Sequence, residues 1–532
     1  MVFEIKHWDG GLSDYDDKGV RGAFKRGQNL DIRRDTDSLK AGQALAEEGI
    51  IEGGSQSASR SPSASISPSP SASTSRSVSS SASASPSAES GSASKSPSRS
   101  LSPSASLSPS VSASASPSVS AALTSVFRDL VHFFVKASDG NTYGFGNAGY
   151  IYKRDPEANY SVVYKDANGA IKGAEEKPSS SGNTYLVWAT DRSVKKKLIP
   201  GRSDWNDVAS VTDGLTPATW HTMKQINGAL MIANKSTLAL FGYDDSFTTN
   251  ALDLVPGNVV NTLVERNGRT ILGTARLADP NKGINAAIDT EIPLAQVGDD
   301  GDIFFANMTD TVPVKRFPGG GKVNPGGVTN LIEQVNFFEW EENALSWIDK
   351  QSVGNLAVFG VFGADSGYGG LYTYGRKNKN KPFALNLEYL LDEDEIGAVT
   401  SVDGVVIASY RSGTDFGVRA VDPNAKAQGV YYGLDLKVPV KKPSDITTWS
   451  LAEMFMSPLP PGTSVEFHYK TDRTETYTQA KTAGGATSFT TTNGTNPIFR
   501  IQDTGNLFEY KIVLNPYGNM SAEVFWLHLQ LS

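Results

Sequence analysis

The sequence predicts a mainly β chain, with a β-propeller at its centre followed by an antiparallel β-sandwich, on three observations. A turn glycine, usually preceded by Asn, Asp or Ser, recurs through the middle of the chain at uneven intervals averaging 44 residues. Strict period-two alternation marks the C-terminal end. Finally, 51 glycines and 27 prolines in 532 residues punctuate the chain too often for long helices. A chain of this length exceeds one compact core, and its composition separates it into four regions.

Residues 1–54 form a polar, charged, Gly-rich arm. Its apolar residues (Val2, Phe3, Ile5, Trp8, Leu12, Leu30 and Ile32) come in short groups without the periodic surface of an independent core. Burying one large side chain contributes about 1.5–3 kcal/mol, so these residues are expected to dock on the chain's own β domains or on neighbouring subunits.

Residues 55–120 form a Ser/Pro/Ala-rich low-complexity tract, with Ser at almost every second position, as in Ser61-Pro-Ser-Ala-Ser-Ile66. Near its end Pro97, Pro103 and Pro109 keep a six-residue beat. Such a composition cannot offset an ordering entropy of about 1–2 kcal/mol per residue, which reads as a spacer. The other reading is mutual ordering of neighbouring copies, since alternation puts Ser on one face of an extended chain and Ala, Pro, Val or Leu on the other.

Residues 121–440 carry the repeat. It runs through Asp139-Gly140, Ser181-Gly182, Asn227-Gly228, Asn267-Gly268, Asp300-Gly301, Val353-Gly354 and Asp403-Gly404, each leading into an apolar strand. The gaps between these glycines average 44 residues, and seven units of that size predict seven four-stranded blades, with six or eight left open. Asn-Gly and Asp-Gly tolerate positive φ in tight turns, hence the hairpin reading. The alternative is one or two β-sandwiches in which Gly228, Gly268 and Gly404 would occupy unrelated positions.

Residues 441–532 form the C-terminal β-sandwich module. Val465, Phe467 and Tyr469 alternate with Glu466, His468 and Lys470. Phe508, Tyr510, Ile512 and Leu514 alternate with Glu509 and Lys511, and Leu527, Leu529 and Leu531 with His528 and Gln530. One face is therefore buried and the other wet, with Phe467, Tyr510 and Leu529 inside and Glu466, Lys511 and Gln530 outside.

No chemistry stands out. The absence of cysteine excludes disulfides, thiol nucleophiles and Cys-ligated metals. His7, His132, His221, His468 and His528 lack ligand spacing, and His468 and His528 occupy polar strand positions that read as solvated. Asp299-Asp300-Gly301-Asp302 lacks the spacing of a calcium loop, and Asp392-Glu393-Asp394-Glu395 reads as a solvated acidic loop. Asp139-Gly-Asn-Thr-Tyr143 resembles the Asp-box of sialidase propellers but lacks the residue between Asp and Gly. No catalytic, cofactor or metal residue is identified, and the chain reads as a non-enzyme. A net charge of -8 argues against a dedicated nucleic-acid or anionic-membrane binder. No stretch is apolar enough to span a membrane, and the start lacks the layout of a signal peptide.

The arm carries one further signal. Trp8-Asp-Gly-Gly-Leu-Ser13, Gly27-Gln-Asn-Leu-Asp-Ile-Arg33 and Asp37-Ser-Leu39 resemble the opening of tailed-bacteriophage tail and neck proteins, in which a β-propeller commonly follows. The Ser-Pro-Ser-Ala tract is similar to spacers of phage structural proteins. The resemblance implies a structural component of a virion, assembled in the host cytoplasm, that forms a homo-oligomeric ring and contacts neighbouring tail or neck proteins. The alternative is a host glycan- or receptor-binding propeller and sandwich protein displayed on the virion.

Overall fold

The computed structural model describes residues 2–5, 26–31, 38–51, 124–253, 356–363, 367–375, 384–438, 447–472 and 476–532, together with strands between 258 and 330. No helix occurs among them. Seven antiparallel sheets follow one another along the chain, each a meander of neighbouring strands. The first sheet is Val131–Lys136, Thr142–Gly146, Tyr150–Arg154 and Tyr160–Lys165. The second is Gly173–Pro178, Thr184–Ala189, Val194–Ile199 and Ala209–Thr212, and the third runs from Met223–Ile226 to Phe247–Asp253. Three strands are described for each of the fourth and fifth, which begin at Asn258–Arg266 and Leu294–Val297. The sixth begins at Val328–Asn330 and ends at Ala384–Leu390.

The seventh sheet differs in its origin. It takes three strands in sequence, Glu395–Val402, Val405–Ser412 and Asp415–Lys426, and its outermost strand is Gln43–Glu48 from the arm. The first strands of sheets seven and one lie side by side, as do those of one and two, two and three, three and four, and six and seven. This is the arrangement of a β-propeller whose last blade is completed by the chain's N-terminal part. At the seam between blades seven and one, Ser409 Oγ donates to Val131 O at 2.6 Å and accepts from Ala398 N at 2.8 Å. Gly397 is required there, because a Cβ would run into the same Val131 carbonyl oxygen.

The four described repeat glycines fall between the first and second strands of their blades, so the repeat there is the blade. Gly140, Gly182, Gly228 and Gly404 have φ of +84°, +80°, +83° and +79°, while Gly268, Gly301 and Gly354 lie outside the described residues. Asn227 and Asp403 also have positive φ, +49° and +52°, giving the two consecutive left-handed residues of a type I′ hairpin. A Cβ at Gly404 would meet nothing within 4 Å, so Gly404→Ala isolates the backbone strain. It is expected to cost about 1 kcal/mol, read as a lowered urea midpoint. Gly228→Ala is expected to cost more, because its Cβ would lie 2.6 Å from the Tyr243 ring.

The C-terminal module has two six-stranded antiparallel sheets. In one the order is Val2–Ile5, Glu523–Leu531, Thr448–Met456, Ile498–Thr504 and Lys481–Thr482, with Leu39–Lys40 also paired to Glu523–Leu531. In the other the order is Arg26–Gln28, Gly429–Tyr432, Leu507–Asn515, Ser464–Thr471 and Thr478–Gln479, with Leu436–Lys437 also paired to Leu507–Asn515. Side chains from both sheets form one core around Trp449, Phe467, Phe499, Phe508, Tyr510 and Leu529. Trp449 stacks on Phe508 at 4.1 Å and receives Phe3 at 5.7 Å.

Alternation along these strands holds. Phe467, Tyr510 and Leu529 are 0%, 2% and 0% exposed, Glu466 and Lys511 are half-buried on the other face, and Gln530 is exposed. Glu509 departs from it: at an alternating polar position it is nonetheless buried, with Lys470 Nζ 3.1 Å from its carboxylate.

One boundary read from composition shifts. The chain changes from propeller to C-terminal sheets between Lys426 and Gly429, ahead of the expected 440/441 boundary, because Gly429–Tyr432 and Leu436–Lys437 pair with Leu507–Asn515. Residues 1–54 dock on the chain's own β domains: their strands belong to both, and Leu30 and Leu39 are fully buried in the C-terminal core. Trp8, Leu12, Ile32 and the tract 55–120 lie outside the described residues. The flanks of that tract meet where Val126 N donates to Gly49 O at 3.1 Å.

Candidate functional site

The arm segment that carries the family resemblance works as a joint. Asn29 takes a left-handed conformation (φ +49°), which turns the chain and presents both ends of its amide. Its Oδ1 accepts from Leu390 N at 2.7 Å in the sixth blade, and its Nδ2 donates to Gln428 O at 3.0 Å. Leu30 enters the C-terminal core while its carbonyl accepts from Asn386 Nδ2 of the sixth blade at 3.2 Å. Asp31 N then donates to Lys40 O, and Gly42 N to Asn29 O, closing a short antiparallel arch. Arg26 and Gln28 each donate to Gly367 O, at 2.5 and 2.7 Å, tying the preceding strand to the sixth blade.

Glu47 and Glu48 continue the work at the propeller rim. Successive strand residues point to opposite faces, so the two carboxylates serve different partners. Glu47 Oε1 accepts from Arg419 Nε at 2.6 Å and Tyr410 OH at 2.8 Å within the seventh blade. Glu48 reaches the first blade, where Arg154 Nε and Nη2 donate to its two oxygens, each at 3.1 Å, and Tyr160 OH adds a third bond. Both members of the Arg154–Glu48 pair are below 10% exposed.

Beside this joint lies a polar and aromatic row on the outer face of the second C-terminal sheet. Pairing places Arg26 opposite Tyr432, Tyr432 opposite Lys511, Lys511 opposite His468 and His468 opposite Gln479. All five are half-buried. The Arg26 guanidinium lies 4.0 Å from the Tyr368 ring centre and 5.3 Å from that of Tyr432. Lys511 Nζ stands 5.9 Å from Tyr432 and 5.2 Å from Tyr477, whose rings meet edge to face at 5.9 Å. Burial lowers the Lys511 pKa, with the Arg26 charge acting the same way against Glu466. His468 is pushed down by burial against the pull of Glu466, whose Oε2 accepts from His468 Nε2 and Gln479 Nε2, each at 2.9 Å.

The other residues singled out from sequence are scattered. His132 and His221 are buried in the propeller, and His7 lies outside the described residues. His221 sits between Ala233 O and Asp191 O, at 2.8 and 3.1 Å. The expectation of solvated histidines in the C-terminal module is corrected. His468 is half-buried on Glu466, and His528 packs against Phe455 and Trp526 at 5.4 and 4.4 Å. The Asp392–Glu395 run is taken up by partners: Gly367 N donates to Asp392, Arg419 pairs with Glu393, Gly413 N donates to Asp394 and Arg411 pairs with Glu395. Asp299, Asp300 and Gly301 lie outside the described residues. Among the described residues no group of three His, Asp or Glu could hold a metal ion, and no helix is long and apolar enough to cross a membrane.

The row thus joins residues from separate strands that sequence reading left unconnected. Its groups suit recognition: cations, ring faces and an amide carbonyl.

Solved structures overlap with part of this chain. The extracellular domain of a hybrid two-component system from B. thetaiotaomicron overlaps with a TM-score of 0.36 at 13% identity, over 63% of this chain and 42% of that one. Streptogramin B lyase overlaps at 0.33 and 10% identity, over 55% and 94% of the two chains. A gluconolactonase overlaps at 0.30 and 9% identity, over 55% and 89%. This chain spans less than half the length of the first of these. No protein-family model and no curated protein matches the sequence.

Proposed function

We propose that this chain is a structural component of a bacteriophage virion, in the tail or neck, which forms a ring of identical copies and contacts neighbouring virion proteins. The observation that carries this reading is the use made of the arm. The Asn29-Leu30-Asp31 and Ser38-Leu39 segments, through which the sequence resembles tail and neck proteins, hold the sixth blade and the C-terminal module to one another, and the adjoining Gln43–Glu48 strand adds the seventh blade. Domains within a chain ordinarily move on small polar interfaces. Strands shared between domains remove that freedom, which suits a part that must keep its shape within a larger assembly.

A surface for the neighbouring copy is offered by the first C-terminal sheet. Phe455 stacks on Trp526 at 3.7 Å on its outer side, and Ile498 and Phe525 are 38% and 37% exposed on the same two-sheet module. Apolar patches of this kind mark association surfaces. Sizing the purified full chain by light scattering, with negative-stain imaging, is expected to give closed rings of one stoichiometry. Phe525→Asp is expected to yield monomers with an unchanged circular-dichroism spectrum. A wild-type chain that stays monomeric at every concentration tried, and that fails to enter particles, would overturn the reading.

A further inference from the structure

The row Arg26–Tyr432–Lys511–His468–Gln479 contains two cations that form no ion pair among the described residues. Around them Lys470 pairs with Glu509 at 3.1 Å, and Glu466, whose charge acts on Lys511 from a distance, has its oxygens taken by hydrogen bonds from His468, Gln479 and Asn515. Lys511 Nζ has ring faces beside it but no hydrogen bond or ion pair among the described residues. The Arg26 guanidinium uses Nη2 on Gly367 O, while its buried Nε has no hydrogen-bond partner. The two like charges flank one tyrosine, Tyr432, and each disfavours the other. Desolvating a cation without a partner is costly, so such a pair is a place where an anion binds with gain.

The surroundings narrow the anion's chemistry. Tyr368, Tyr432 and Tyr477 supply amphipathic ring surfaces at the two cations, and Gln479, whose NH2 donates to Glu466 Oε2 and Thr487 O, ends the row in a side-chain carbonyl acceptor. A bare inorganic anion would use the charges and leave the rings and the Gln479 carbonyl idle. A ring-shaped, hydroxyl-rich ligand bearing a carboxylate uses all of them: its carboxylate between Arg26 and Lys511, its apolar C–H faces on the tyrosines, its hydroxyls toward Gln479. We propose that this row binds a carboxylated saccharide, one that contains uronic acid, on the outer face of the C-terminal module. The inference does not depend on ring formation, and its test is separate from the sizing experiment.

The test titrates the full-length chain by calorimetry with oligogalacturonate, the matching neutral oligogalactose and inorganic phosphate. Oligogalacturonate is expected to bind, and the neutral sugar about tenfold or more weakly, the discrimination of one lost charge-assisted contact. Lys511→Gln is expected to weaken oligogalacturonate by the same factor with its melting temperature unchanged. Gln479→Ala, which touches neither cation, is a second variant expected to weaken it with the fold intact. Absence of oligogalacturonate binding would overturn the proposal, as would equal affinity for the neutral sugar or an unaltered affinity in Lys511→Gln. Phosphate binding as tight as oligogalacturonate would reduce the row to a simple anion site and equally overturn it.

Discussion

Removal of residues 1–49 is expected to abolish cooperative folding of the whole chain, and not only its assembly. An arm that merely lashed neighbours together could be cut away and leave the propeller intact. Here the deletion would strip the outer strand from the seventh blade and withdraw Leu30 and Leu39 from the C-terminal core, in which both are fully buried. Two such side chains contribute about 1.5–3 kcal/mol each. The deletion would also leave Arg154 buried without Glu48, and breaking a buried ion pair on one side costs about 3–5 kcal/mol. These losses are comparable to the whole stability of a typical domain, about 5–15 kcal/mol. The truncated protein should therefore bind a hydrophobic dye and be cleaved by protease within the seventh blade. Glu48→Ala alone should lower the denaturation midpoint strongly, and Glu48→Leu with Arg154→Met should recover much of the loss, because an apolar pair removes the stranded charge. A truncation that melts as sharply as the full chain would show that the closing strand is dispensable.

What could be read from sequence is what local chemistry decides. Asn227-Gly228 and Asp403-Gly404 form tight hairpins because those residue types accept positive φ, and that preference is written in two adjacent letters. The alternation from Val465 to Lys470 is equally local, and every second residue is buried as expected. The closing strand is of another kind. Gln43–Glu48 is a short, Ala- and Glu-rich segment with neither turn signal nor apolar alternation, and its partners Tyr410 and Arg419 lie 363 and 372 residues away. Glu509 shows the same limit within a legible strand. Its polar letter predicts water, and only the neighbouring strand brings the Lys470 ammonium that makes burial tolerable. The Arg26–Gln479 row is assembled from five strands, so no window of sequence contains it.

Stability is expected to fall as the pH drops from about 6.5 to 4, and His132 is expected to carry a large part of that fall. Its imidazole lies in the first strand of the first blade, 9% exposed, 5.0 Å from the Trp220 ring, with its Nε2 buried and unpartnered. Burial pushes its pKa down to about 4, against the weaker attraction of Glu395. In the unfolded chain the same group titrates near 6.5. Between those values the unfolded state takes up a proton that the folded state refuses, so folding loses free energy as the pH falls. At 1.36 kcal/mol per unit the loss reaches about 3 kcal/mol by pH 4. His221, also buried and lowered by desolvation, adds to the same slope, while Asp245 and Asp207, whose carboxylates are held below the usual range beside Lys177 and Lys197, lose their contribution only at still lower pH. His132→Phe keeps a ring against Trp220 and removes both the titration and the unpartnered nitrogen. Its urea midpoint should match or exceed that of the wild type at pH 7, and should fall less between pH 6.5 and 4, with the residual slope assigned to His221. Parallel midpoint-against-pH curves for the two proteins would mean that His132 is already charged in the fold, and that water reaches the first blade at Trp220.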